Sequence, residues 1–191
     1  MSFFDKTLSE DDTKLLKKVK KEFFTNTVIK VVTDLEGNTF DGKTLQFGCK
    51  AGPGLDINNL FHEMGHFVEI DKKRMTENNW GLHCKTKIRI MGRFCNEFHT
   101  SQHIHRELRV AAYQYALNKH FNVDKTIEDI VSAFVYLDNF RLISGYKSDA
   151  ESLIVAKKFV ELYSLQFDIE RFKYIWEDRI NQLHKKTRKQ K

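Results

Sequence analysis

The chain has 191 residues, 41% of them hydrophobic, and a formal net charge of +6, a size and apolar content that suit one domain with a sizeable core. No stretch is apolar for long enough to span a bilayer, and the opening "MSFFDKTLSEDDTK" turns acidic where a secretory leader would turn greasy, so a soluble, intracellular and cytoplasmic protein without membrane contact is expected. Most of the excess charge sits in the closing "KKTRKQK", with Lys185, Lys186, Arg188, Lys189 and Lys191 and no acid; this predicts a solvated basic tail over 185–191, the alternative being a contact with an acidic partner or nucleic acid.

Ser9 with Asp12 three residues on resembles a capping box, and Leu15, Leu16, Val19, Phe23 and Phe24 recur at helical spacing, predicting a helix over 10–24. The β-branched runs "NTVIKVVTD" and "TLQFGCK", parted by "LEGNTFDGK", predict strands with turns between them. "AGPGLD", which holds the single proline Pro53, breaks the chain, and Asp56 is placed to cap a helix over 57–70. "HCKTKIRIMGRF" alternates enough for a further strand or hairpin arm, and helical patterns then cover 101–119, 127–143, 149–164 and 169–186. Cys49, Cys84 and Cys95 form no C-x-x-C pair, so reduced thiols are expected rather than a disulfide framework or a cysteine metal site. With no repeat and no low-complexity linker, the pattern predicts an α+β fold in a single domain over 1–184, with a small early β-sheet, a motif helix and several C-terminal helices.

The motif is "HEMGH", residues 62 to 66. Positions i and i+4 share a helix face, so His62 and His66 can aim imidazole nitrogens at one point roughly 2 Å from each, the ordinary zinc–nitrogen distance. Glu63 lies about 100° further round the axis. From there its carboxylate can serve a water molecule without having to bind the metal, the arrangement that metal-assisted hydrolysis requires. Gly65 inside the helix costs about 1 kcal/mol relative to alanine, which makes sense where another backbone approaches closely. The bland alternative is a pair of satisfied helix histidines without metal.

HEMGH resembles the active-site helix of zincin metallopeptidases over about residues 55–116. Position 69 is Glu and position 72 is Lys, where the extended metzincin pattern has Gly and His, so the resemblance is to the gluzincin group. It implies a zincin-like domain, a zinc cofactor, hydrolysis of a peptide or protein substrate with Glu63 as general base, and a third ligand from a glutamate on a later helix. Two glutamates near helix starts are candidates. Glu151 follows Ser148 at capping-box spacing and so has a local task. Glu107 stands in the second turn of its helix, with the small residues Ala111 and Ala112 after it, and is the preferred ligand beside His62 and His66.

His103 shares the face of Glu107 and is a further candidate, as auxiliary ligand or oxyanion donor, against the plain reading of a partly exposed helix histidine. His99, His105, Tyr113 and Tyr146 are weaker candidates. A ligating imidazole normally donates its other N–H to a carboxylate or carbonyl; position 111, where many gluzincins carry an acid, is Ala, leaving Asp149, Glu69 or a backbone carbonyl. The strand "TLQFGCK" is the expected edge for an extended peptide. The competing functional reading is a catalytically idle zincin-like binding module that contacts a protein or nucleic acid.

Overall fold

Leu16, Val19 and Phe23 repeat along one face of the first helix, α1 (Glu10–Phe23), and all three are buried. The structure, a computed structural model, describes residues 10–32, 39–40, 43–48, 57–70, 87–90, 93–96, 101–132 and 148–189. After α1 come β1 (Val28–Val32), β2 (Thr39–Phe40), β3 (Thr44–Gly48), α2 (Ile57–Glu69), β4 (Lys87–Ile90) and β5 (Arg93–Asn96). The chain then continues with α3 (Ser101–His120), α4 (Ile127–Ser132), α5 (Asp149–Ser164) and α6 (Ile169–Lys189).

The expectation of an α+β fold with an early sheet is overturned. The body of the fold is helical, 79% helix and without strand or sheet. Short strands occur outside that body: β3 pairs parallel with β1 and antiparallel with β2, and β4 pairs antiparallel with β5. The physical reason is where the apolar surface is buried. Among the described residues the strands make one three-stranded and one two-stranded sheet, whereas the helices carry the buried apolar stripes. The pairing also corrects the substrate-strand expectation. β3 is the middle strand, with Val28 to Val32 along one side and Thr39 and Phe40 along the other, so it does not present a free edge over its length.

The chain divides into two compact units, one made of Met1–Gly81 with Asp168–Lys191 and one of Leu82–Phe167, where the sequence pattern suggested one domain. In the first, α1, α2 and α6 pack together. Trp176, 1% exposed, is the hub: its Nε1 donates to the carbonyl of Phe23 at 2.8 Å, and its ring meets Phe24 and Phe67 edge-on with centroids 4.9 and 4.7 Å away. Edge-to-face contact suits the ring quadrupoles, and truncating such a residue to alanine costs about 3–5 kcal/mol. A half-buried ion pair, Lys173 to Glu22 at 2.7 Å, adds a further tie between α6 and α1.

In the second unit α3, α4 and α5 enclose a core that includes Ile104, Leu108, Ala111, Ala112, Ile130, Val131, Ala156 and Val160. Alanines at the contacts let the helix axes come close. Asn122, at φ 57°, ends α3 in the left-handed region, and the N–H groups of Asn122 and Val123 donate back to Lys119 and Asn118. That is a Schellman stop with asparagine in the role usually taken by glycine.

Helix starts are capped by their own side chains. Thr126 and Asp129 exchange hydrogen bonds across the first turn of α4, and Ser148 Oγ accepts from Glu151 N–H at 3.2 Å at the start of α5. The expected 127–143 helix is observed as Ile127–Ser132, the remainder lying outside the described residues. The last helix extends to Lys189, into the basic segment read as a tail. Among the described residues no helix is long and apolar enough to cross a membrane.

Candidate metal centre

α2 is amphipathic, with its apolar residues along one face and Asn58, Asn59, His62, Glu63, His66 and Glu69 along the other. Leu60, Phe61, Met64, Phe67 and Val68 are buried, as is Gly65, whose missing side chain leaves room beside the helix. The polar face of such a helix ordinarily meets solvent, which makes a buried member of it informative. His66 is 3% exposed, while His62 and Glu63 are half-buried and within reach of water.

The i, i+4 spacing does what helical geometry requires. The Nε2 atoms of His62 and His66 face each other at 3.0 Å, the rings nearly perpendicular at 83° with centroids 4.6 Å apart. Two imidazole lone pairs at that distance repel unless a proton or a cation lies between them. A shared proton fixes opposite tautomers on the two rings. The donor set also suits a metal, since an ion about 2.0–2.1 Å from each nitrogen bridges such a gap.

Glu107 is on α3 and 2% exposed. A carboxyl group so deeply buried is kept there only with a cation, a proton or hydrogen bonds to hold it. His62 and His66 belong to the first compact unit and Glu107 to the second. The histidine nitrogens and the carboxylate are borderline and hard donors, a mixture that zinc accepts.

The other candidates fare differently. Glu151 is exposed at the start of α5, where its N–H completes the cap with Ser148. His103 falls on α3, but its side chain lies outside what the structure describes, and His99 and Tyr146 are likewise outside the described residues. His105 is exposed with its ring 5.4 Å from Phe159, and Tyr113 is half-buried against Phe167. Ala111 is a core residue; Asp149 is exposed and Glu69 half-buried. Cys49 and Cys84 lie outside the described residues, as does the side chain of Cys95.

Sequence reasoning missed Arg179, which occupies the inner stripe of α6 with Phe172, Trp176 and Leu183 and is 8% exposed. Its Nη1 donates to the carbonyl of Ile70, directly after α2. The signal was available, because an arginine recurring in phase with three apolar residues is a buried cation in waiting.

No family model, curated protein or solved structure matches this chain. The site therefore rests on its own residues.

Proposed function

We propose that the chain is a zinc-dependent peptide hydrolase of gluzincin type, with His62, His66 and Glu107 as metal ligands and Glu63 as general base. The observation that carries this reading is the 3.0 Å approach of the two Nε2 atoms on α2, and the deep burial of the Glu107 carboxyl supports its place in the ligand set. When bound, zinc supplies Lewis acidity to a substrate carbonyl and makes water a stronger acid.

The chain's own groups supply the proton handling. Glu63 adjoins His62 in sequence and is half-buried, open enough for water to reach it. Its carboxylate takes a proton from the attacking water as the new C–O bond forms, then delivers that proton to the amide nitrogen as the C–N bond breaks. The burial of His66, 3% exposed, limits competing solvent on its side of the pair and strengthens charge interactions there. The basic segment after 184 is read as solvated and separate from the chemistry, the alternative being a contact with an acidic partner or nucleic acid.

The test is a peptide-library digest with wild type and Glu63→Gln side by side, each checked for zinc content. Cleavage by the wild type that falls sharply in the variant at equal zinc supports the hydrolase. Absence of cleavage by zinc-loaded wild type over a broad library favours the idle binding module instead.

A further inference from the structure

Arg179 shares the inner stripe of α6 with Phe172, Trp176 and Leu183, and a guanidinium at 8% exposure gives up most of its hydration. Its apolar neighbours on the helix return nothing for that loss. One partner it reaches is a backbone carbonyl, that of Ile70. Ile70 in turn donates its N–H to the carbonyl of His66 at 2.9 Å. These two bonds form a chain in which Arg179 holds Ile70, Ile70 closes the last turn of α2, and that turn carries His66. The carbonyl end of a helix is partially negative, so a buried cation is favoured there on electrostatic grounds as well.

His66 stands three residues before Glu69, the last residue of α2, in the turn that frays first when a helix end is released. The approach of Nε2 to Nε2 at 3.0 Å requires this turn to stay in register with the preceding one, which carries His62. We propose that Arg179 is a positioning residue that pins the C-terminal turn of the motif helix and thereby holds His66 in place beside His62. It acts through the backbone, by its bond to the Ile70 carbonyl. Its consequence for zinc rests on the proposed metal site; its consequence for the helix end does not.

The full-length protein is compared with Arg179→Met and Arg179→Lys by two measurements: amide hydrogen exchange over residues 63–70 in metal-free protein, and zinc affinity by competition with a chromophoric chelator, with His62→Ala as reference. Methionine suits the apolar stripe, and replacing a buried charge by an apolar side chain is often neutral for stability. In Arg179→Met, exchange at residues 66–70 should quicken about tenfold relative to α1, and zinc affinity should fall about tenfold, the scale of a partly buried helix-end cation. Lysine should recover part of both effects. Unchanged exchange at 66–70 would overturn the proposal, and so would zinc affinity equal to wild type despite faster exchange. Where Arg179→Met fails to fold, Arg179→Lys decides by the same criterion, quickened exchange supporting the proposal and wild-type exchange overturning it. A wild type that binds zinc no better than His62→Ala defeats the metal site, and exchange alone then judges Arg179.

Discussion

Two glutamates stand near the starts of two helices in this chain, and their surroundings have little in common. Glu151 is exposed at the first turn of α5, its N–H bonded to Ser148 Oγ, with the solvent available to its carboxylate. Glu107 is in the second turn of α3 and almost fully buried. One position is explained by a local hydrogen bond, the other only by what surrounds it in space. The difference teaches that a carboxylate's sequence neighbourhood reveals a capping role, whereas a ligand role becomes visible as burial that a helix end does not account for.

That contrast sorts carboxylates into those that serve chemistry and those that serve stability, and it can be broken at either end. The largest effect is expected at Glu63. Glu63→Gln keeps size and most hydrogen bonding but removes the base, so turnover should fall by about 10² to 10⁴ while zinc stays bound, as single-turnover kinetics on zinc-verified protein would show. Equal turnover would remove Glu63 from the mechanism. Next comes the pair itself. Glu107→Gln should weaken zinc by more than the roughly 10- to 100-fold typical of losing an outer partner, and Glu151→Gln should leave zinc unchanged, as read by chelator competition. A reversal of that order would exchange the two assignments.

Smaller effects sharpen the capping side. Ser148→Ala should cost about 1 kcal/mol in denaturant unfolding with no change in zinc affinity, since it deletes the acceptor for Glu151 N–H and none of the proposed ligands. The smallest effect concerns Asp129. The Thr126 hydroxyl, donating to its carboxylate at 2.7 Å, holds Asp129 below the usual carboxylate range, aided by the Thr126 N–H. A depressed folded pKa contributes stability that is present above the unfolded value, about 3.9, and lost as pH falls through the folded one. Thr126→Ala should therefore raise the Asp129 midpoint in an NMR titration, and its stability difference from wild type should shrink in acid below about pH 4.

Much of the helical frame was legible before the structure. The spacing of Leu16, Val19 and Phe23 located α1, and the bounds expected for α2, α3, α5 and α6 agree with the observed helices to within three residues. Ser148 and Glu151 announced their cap because capping is local. What misled was the β-branched composition around 28–48: side-chain preference indicates strand conformation but not whether enough strands assemble to make a layer. Arg179 escaped because its partner, the Ile70 carbonyl, is far away in sequence and is a backbone atom, which no side-chain pattern marks. The His62 and His66 pairing was readable from four-residue spacing alone, while the burial of Glu107 required the packing of α3.

The central claim is that His62, His66 and Glu107 hold one zinc ion. Elemental analysis by mass spectrometry of purified protein, after incubation with zinc at neutral pH and removal of loose metal, tests it directly. The account predicts about one zinc per chain in wild type and a loss of it in His66→Ala. Wild-type protein that is folded by circular dichroism yet retains no zinc would contradict it.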